Sequence, residues 1–271
     1  MKQAQHSWLI TEQYCGTDVA DYFFDLDKVF SCTGEKVASD PISQVIKTTV
    51  GDKFYYVKRY HAAGKGFRRY FGRSRIRAEW ENLITFSRLG VPTPKIVGYG
   101  QRVECGRFKC GALITEEIVN SIDLAALVKT QPAILQDKRW RLSVMDQIAE
   151  YTRIIHDAGY VHGNLNWRNI LVTLSEQPQV YFIDCPAGGL RRGRRLHRDK
   201  LNDLVFLDKL GRIHLRLTDQ LRFYKRYQRI KKLSVGDKQD IGLIVRSLDQ
   251  QRLRKQAQAI AKTNNKGADH G

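Results

Sequence analysis

Residues 162–169 read His-Gly-Asn-Leu-Asn-Trp-Arg-Asn, and this loop decides how the rest of the chain is interpreted. An apolar run at 170–174 follows it directly, and a second apolar run at 180–183 ends at Asp184. The turn residues between the two runs predict a β-hairpin, which would bring the side chains of Asn169 and Asp184 together at one end. Mg²⁺ prefers oxygen ligands and keeps several waters, so an amide and a carboxylate at this place predict a magnesium site.

A second hairpin is predicted upstream of this loop. Residues 45–50 and 54–57 are rich in β-branched and aromatic side chains, and Gly51 and Asp52 supply the turn between them. Lys58 follows the second run, so its stem can be buried while its ammonium faces a cleft. Phosphoryl transfer from ATP requires a lysine on the nucleotide phosphates, and Lys58 is the candidate. An exposed lysine at a strand end is the alternative.

Residues 73–89 follow a helical pattern, because their apolar side chains recur at a spacing of three to four. This helix carries the carboxylate that phosphoryl transfer requires beside the lysine. Glu79 is the candidate partner of Lys58, and Glu81 is its competitor.

The order of the predicted elements indicates an α+β fold with two lobes. Strands and one helix come first, with further strands at 95–99 and 112–118, and a mostly helical half follows, with helices from 121 to 128 and from 142 to 158. The predicted division is an N-terminal nucleotide-binding lobe, a C-terminal catalytic and substrate lobe, and a flexible tail, at residues 1–118, 119–262 and 263–271.

The composition adds a strong charge bias. The 271 residues include 46 Lys and Arg against 28 Asp and Glu, a formal net charge of +18, which favours polyanionic partners such as nucleic acid, an anionic membrane face or a phosphorylated glycolipid. The five cysteines form no CxxC pair and are expected to be reduced thiols. The N-terminus lacks the apolar core of a signal peptide, and no apolar run reaches the roughly 18 residues of a membrane span. We therefore expect a cytoplasmic protein, with peripheral contact at the cytoplasmic face of the inner membrane.

Together these segments resemble the bacterial lipopolysaccharide core kinases, which phosphorylate heptose or Kdo sugars and belong to the protein-kinase-like superfamily. The resemblance covers most of residues 40–230. It is carried by the following segments: 56–60, 79–83, 90–94, 159–163, 166–169, 183–184 and 191–227.

The resemblance implies a protein-kinase-like fold that uses ATP and Mg²⁺. It implies Lys58 on the phosphates, Glu79 as its partner, and Asn169 and Asp184 on the metal. It also implies a hinge whose backbone meets adenine, at Glu116–Ile118. No clear glycine-rich loop precedes the lysine, and residues 40–43 are the candidate phosphate cover.

Asn164 departs from this family pattern. Active kinase-like enzymes carry at this place an aspartate that accepts or orients the proton of the attacking hydroxyl. An amide can hydrogen-bond to a hydroxyl but cannot act as a base near neutral pH. Three interpretations stay open: an unusual kinase that relies on positioning, a pseudokinase that binds nucleotide without transfer, and an inactivated copy of a kinase.

A cluster of arginines follows Asp184, and it is predicted to contact the acceptor. Arginine binds phosphate and carboxylate with two parallel hydrogen bonds, so the cluster suits an anionic glycolipid such as the lipopolysaccharide core. The predicted substrate-binding residues are Arg191, Arg192, Arg194 and Arg195. A basic nucleic-acid-binding protein is a further alternative, but the chain shows no nucleic-acid-binding motif. The sequence identifies no protein partner.

Overall fold

The computed structural model describes residues 5–62 and 73–268, and it places a β-sheet lobe before a mainly helical lobe. The predicted two-lobed α+β fold is confirmed. The strands are β1 (Gln5–Ile10), β2 (Glu35–Ser39), β3 (Ser43–Val50), β4 (Lys53–Tyr60), β5 (Ile96–Glu104), β6 (Arg107–Glu116), β7 (Ser121–Asp123), β8 (Tyr160–Val161), β9 (Ile170–Thr173), β10 (Val180–Phe182) and β11 (Gly189–Leu190). The helices are α1 (Asp18–Tyr22), α2 (Leu26–Ser31), α3 (Arg75–Arg88), α4 (Leu124–Thr130), α5 (Lys138–Asp157), α6 (Gly193–His214), α7 (Leu217–Gln228) and α8 (Val235–Ala268).

The first lobe is built on a six-stranded antiparallel sheet with the order β1-β5-β6-β4-β3-β2. The predicted hairpin at 45–57 is its β3–β4 pair, which runs in register from Val50 opposite Lys53 to Ser43 opposite Tyr60. Lys58 lies on β4 between two neighbouring strands, opposite Val45 on one side and Leu113 on the other. A lysine on an inner strand is held at its backbone by both neighbours, which fixes where its side chain leaves the sheet.

The two faces of this sheet are covered by different parts of the chain. On one face the N-terminal segment packs Phe23 and Val29, both fully buried, and the Trp8 indole donates to the Phe23 carbonyl oxygen at 2.8 Å. On the other face α3 buries Ile76 and Phe86 in the main core. The sheet lobe therefore has a hydrophobic layer on each side.

The helical lobe is organised around α5 and a three-stranded sheet of the order β10-β9-β7. α5 begins at Lys138, four residues before the predicted start, because the Asp137 carboxylate accepts from the N–H groups of Arg139 and Trp140. Residues 121–123 were predicted to be helical but form β7, since they pair with β9.

The last helix, α8, continues to Ala268; residues 251–262 are rich in strong helix formers, and no proline follows them. The flexible tail from residue 263 stays a prediction. Within the described ranges, no helix combines the length and apolar character needed to cross a bilayer.

Candidate active site

A cleft of about 760 Å³ lies between the two lobes. It is bounded by the sheet, by α3, by the loop at 162–169 and by the residues around Asp184. Its lining includes seven residues singled out from the sequence: Lys58, Glu79, Glu116, Ile118, Asn164, Asn169 and Asp184. Residues more than a hundred positions apart in the chain thus meet in one cavity.

Lys58 contacts two carboxylates at the centre of this cleft. Its ammonium nitrogen lies 2.8 Å from Glu79 Oε1 and 2.5 Å from Asp184 Oδ1. Burial by itself would lower the pKa of Lys58, but the charges of the two carboxylates outweigh it and raise that pKa above its ordinary value. Lys58 is therefore a permanent cation near neutral pH, which is the state that a phosphate ligand requires.

Glu79 and its competitor Glu81 occupy different faces of α3. Glu79 is buried, and its carboxylate accepts hydrogen bonds from the Lys58 ammonium and, at 3.3 Å, from the Tyr60 hydroxyl. Glu81 instead pairs with Arg73 at 3.0 Å and with Arg77 at 2.7 Å, on the outer side of the helix. The structure thus brings Glu79, and not Glu81, to the lysine.

α3 is also tied to the chain that follows Asp184. The Asn82 side-chain amide donates to the Cys185 carbonyl oxygen at 2.8 Å, and the Arg73 guanidinium donates to the Gly188 carbonyl oxygen at 3.1 Å. The helix that carries Glu79 and the segment that carries Asp184 are therefore fastened to each other as well as to Lys58.

The loop at 162–169 is held in place by Asp203, which lies fully buried in α6. Its carboxylate accepts from the backbone N–H groups of His162 and Gly163, at 2.8 and 2.9 Å, and lies 3.2 Å from His156 Nε2. Asp203 was not predicted from the sequence. The signal that could have identified it as a buried, hydrogen-bonded carboxylate is its place in the apolar stripe of a helix, beside Leu204 and Val205.

His162 supports the loop and does not act as a base. Its ring is fully buried and lies between Phe86 and Phe182, and its Nε2 lies 3.0 Å from the carbonyl oxygen of Ile183. Because burial lowers the pKa of His162, the ring stays neutral and donates this hydrogen bond.

Gly163 is required by the backbone of the same loop. Its φ is +76°, and a Cβ there would lie 2.7 Å from the main chain of Ala187. The residues after Asp184 therefore pass too close for any side chain at this position.

The cleft side of the loop carries three linked asparagines. The Asn166 side-chain amide donates to Asn164 Oδ1 at 2.9 Å, and the Asn169 amide donates to the Asn164 carbonyl oxygen at 2.8 Å. Since Asn169 uses its nitrogen in this way, its Oδ1 is left to face a cation. Asn164 thus presents a neutral, already hydrogen-bonded side chain at the place where the resemblance led us to expect an aspartate.

Asn169 and Asp184 fit the predicted magnesium site. Asp184 adopts a left-handed backbone conformation, with φ +56°, and 37% of its side chain is exposed toward the cleft. In the part of the chain that the structure describes, no group of three or more His, Cys, Asp or Glu side chains is arranged to hold a metal by itself. One amide oxygen and one carboxylate suit an ion that takes its remaining ligands from phosphate oxygens and water.

The predicted hinge lies where the sheet lobe meets the helical lobe. The Glu116 N–H donates to the Lys95 carbonyl oxygen at 2.9 Å, and the Glu116 carboxylate accepts from the hydroxyl of Tyr14 in the N-terminal segment. The Ile118 N–H donates to no group within residues 5–62 and 73–268, so it is available to a ligand in the cleft.

The four arginines predicted to bind substrate do not line the cleft. Arg191 is already engaged, with Asp199 at 3.0 Å and with the Ala187 carbonyl oxygen at 3.0 Å. Arg195 also faces Asp199, at 3.6 Å, while Arg192 and Arg194 are exposed outside the cavity. Arg194 and Arg195 lie in the first turn of α6, which begins at Gly193, and Arg191 and Arg192 directly precede this helix.

A different arginine lies at the cleft. Arg168 is exposed, lines the cavity beside Asn164, and follows Trp167, whose indole is anchored by the Leu207 carbonyl oxygen at 2.9 Å. Arg168 belongs to the quoted loop, but no role was predicted for it from the sequence.

Comparisons with known proteins agree with this geometry. The model of the lipopolysaccharide kinase (Kdo/WaaP) family matches residues 31–227. The chain is 33% identical over 147 residues to a 3-deoxy-D-manno-octulosonic acid kinase of Haemophilus influenzae (strain 86-028NP), and 30% identical over 146 residues to one of Actinobacillus succinogenes. These alignments cover 53% and 52% of this chain, and each spans 58% of the relative's own length.

Among solved structures, WaaP in complex with acyl carrier protein superposes with a TM-score of 0.65 at 19% sequence identity, over 90% of this chain and 98% of that one. At this identity the likeness speaks for the fold. The family match covers most of the chain and includes both walls of the cleft. The chain belongs to the lipopolysaccharide kinase (Kdo/WaaP) family.

Proposed function

We propose that this protein is an ATP- and Mg²⁺-dependent kinase that phosphorylates a sugar hydroxyl of the lipopolysaccharide inner core. The observation that carries the proposal is the contact of Lys58 with both Glu79 and Asp184 in the cleft between the lobes. Phosphoryl transfer depends mainly on positioning and electrostatics, and this ion network supplies both.

Each residue of the cleft has a separable task in this proposal. Lys58 binds the nucleotide phosphates, and Glu79 holds its ammonium in place. Asn169 and Asp184 hold Mg²⁺, which neutralises charge on the phosphate oxygens when it is bound. The Ile118 N–H and the backbone of Glu116 face the adenine. Asn164 orients the acceptor hydroxyl by a hydrogen bond.

The acceptor is proposed to be an anionic sugar at a membrane surface. The acceptor predicted from the sequence is a heptose hydroxyl of the inner core, whereas the curated relatives are named for 3-deoxy-D-manno-octulosonic acid. Arg168, exposed beside Asn164, suits a carboxylate or phosphate on the acceptor. The net charge of +18 suits contact with an anionic membrane face. The family match favours a glycolipid over nucleic acid as the partner of this charge.

A pseudokinase is the second candidate, and Asn164 is the observation that favours it. Asp157 and Asp199, the nearest other carboxylates in sequence, do not line the described cleft: Asp157 pairs with Arg153, and Asp199 pairs with Arg191. A protein that binds nucleotide without transfer would keep the Lys58 network and lack the base, as observed here.

One experiment separates the two candidates. The wild type and Asn164→Asp are incubated with labelled ATP, Mg²⁺ and dephosphorylated core lipopolysaccharide, either complete or truncated to its Kdo sugars. A positioned general base contributes roughly 10²–10⁴-fold, so we expect measurable transfer by the wild type and faster transfer by Asn164→Asp.

The outcomes of this experiment divide cleanly. Transfer to the truncated acceptor identifies a Kdo hydroxyl, and transfer to the complete core alone identifies a heptose. Transfer by Asn164→Asp alone indicates an inactivated kinase. Nucleotide binding without transfer by either protein indicates the pseudokinase.

A further inference from the structure

The turn between β2 and β3 overhangs the cleft but has no backbone N–H to offer a phosphate. The Asp40 N–H donates to the Ser43 carbonyl oxygen at 2.9 Å. The N–H groups of Ile42 and Ser43 both donate to Asp40 Oδ1, at 2.8 and 2.7 Å, and Pro41 has no N–H. The residues predicted to cover the phosphates therefore satisfy one another.

This turn also carries a negative charge into the cleft. Asp40 lines the cavity, and its second oxygen accepts from the Ser43 hydroxyl at 2.9 Å. Burial acts to raise the pKa of Asp40, but the hydrogen bonds from Ile42 and Ser43 outweigh it and hold that pKa below its ordinary value. An ionised carboxylate near the phosphates is repulsive, so nucleotide binding requires a compensating cation.

Arg75 is placed to supply that cation. It lies in the first turn of α3, four residues before Glu79, and therefore on the same face of the helix. It lines the cleft together with Asp40, and its charge acts on the Asp40 carboxyl.

The arginines on either side of Arg75 are already engaged, whereas Arg75 has no such partner among the residues that the structure describes. Arg73 and Arg77 both pair with Glu81. The Arg75 guanidinium makes no hydrogen bond, and no ion pair within 4 Å, to any residue in the described ranges. A guanidinium in a cleft without a committed acceptor is available to a ligand that brings oxygens of its own.

We propose that Arg75 is the second cation for the nucleotide phosphates, and that its side chain replaces the backbone amides that the β2–β3 turn cannot supply. The inference rests on the proposed function in that the ligand is ATP. Guanidinium groups bind phosphate oxygens with two parallel hydrogen bonds, so Arg75 and Lys58 hold the phosphates from two directions while Arg75 offsets Asp40.

The test is calorimetric binding of ATP, ADP and AMP in Mg²⁺ to the wild type, Arg75→Ala, Arg75→Lys and the matched control Arg77→Ala. We expect Arg75→Ala to weaken ATP about 10- to 100-fold, because hydrogen bonds between charged groups are lost, and to weaken AMP less than about threefold. Arg75→Lys keeps the charge without the forked geometry and should fall between. Arg77→Ala, on the outer face of α3, should match the wild type.

Several results would overturn the inference. Unchanged ATP affinity in Arg75→Ala, while the wild type binds ATP, removes it and leaves the proposed kinase function intact. Equal losses of affinity for ATP and AMP in Arg75→Ala, or a lowered melting temperature of that variant, would show general damage to the cleft. Wild-type affinity of Arg75→Lys for all three nucleotides would exclude a forked contact. A wild type that binds no nucleotide would remove both the inference and the proposed function.

Discussion

The two walls of the cleft are built from different chemistry. The wall around Lys58 is fully charged, with an ammonium between the carboxylates of Glu79 and Asp184. The wall formed by the loop at 162–169 presents linked amides, centred on Asn164, and no charge until Arg168. The two walls therefore differ in charge: the residues proposed to hold the phosphates carry charged groups, whereas the loop proposed to orient the acceptor hydroxyl presents amides.

Removal of Asp184 should break the charged wall most completely. Asp184→Ala loses both the proposed metal ligand and one partner of Lys58, so we expect transfer to fall by about 10²–10³-fold or more. Nucleotide affinity measured in Mg²⁺ should drop to the value measured in EDTA. Asp157→Ala removes an aspartate that pairs with Arg153 away from the cleft and serves as the control. A nucleotide affinity in Asp184→Ala that still depends on Mg²⁺ would contradict the site assignment.

Removal of Asp203 should loosen the amide wall. In Asp203→Ala the buried N–H groups of His162 and Gly163 lose their acceptor, and each such loss costs about 1–3 kcal/mol. The measurement is the free energy of unfolding in urea. Asp203→Asn keeps one acceptor oxygen and should lose less, and Asp208→Ala tests an aspartate on the same helix that pairs with Arg212. Equal stability of Asp203→Ala and the wild type would show that the loop does not depend on Asp203.

The charge balance of Lys58 can be tested by pH. Because its folded-state pKa is raised above the ordinary 10.5, the stabilisation it provides is complete below about that pH and is lost only as the pH rises through the folded-state pKa. In Glu79→Gln one of the two carboxylates that raise the pKa of Lys58 is gone while the burial that lowers it remains, so the loss of stability should begin at a lower pH than in the wild type.

The readout for Glu79→Gln is the melting temperature between pH 7 and 10.5. Glu81→Gln, which affects only the outer face of α3, should follow the wild-type curve. Parallel curves for Glu79→Gln and the wild type would mean that Lys58 does not depend on Glu79 for its charge.

The smallest effect is expected from the exposed arginines outside the cleft. A double substitution, Arg192→Ala with Arg194→Ala, should change the KM for the acceptor by less than about threefold, since exposed charges are screened. Arg168→Ala should raise the same KM about tenfold, while the KM for ATP stays constant. A larger change in the KM for the acceptor in the double variant than in Arg168→Ala would indicate that the acceptor binds at the arginine cluster predicted from the sequence.

Much of the fold could be predicted because its signals are local. The apolar runs on either side of the 162–169 loop predicted the β9–β10 hairpin, and the helical spacing of residues 73–89 predicted α3. Both predictions needed only neighbouring residues and their turns. The juxtaposition of Asn169 with Asp184 followed from the hairpin itself.

The features that were missed depend on distant contacts or on very short elements. β1, α1 and α2 were not predicted. The two helices have only five and six residues, which is too short to show a helical period in the sequence. Asp203 is meaningful only through backbone groups forty residues earlier in the chain. Arg75 could not be distinguished from Arg73 and Arg77 until the helix was oriented against the sheet.

The fastening of α3 to the segment after Asp184 has a consequence for how the molecule is made. Asn82 binds the carbonyl oxygen of Cys185, 103 residues later in the chain, and Arg73 binds that of Gly188, 115 residues later. During synthesis the sheet of the first lobe can form while α3 still lacks these partners, because the chain that supplies them has not yet been made. The cleft therefore takes its final shape only after translation has passed Gly188, and the two lobes complete each other as a late step in folding.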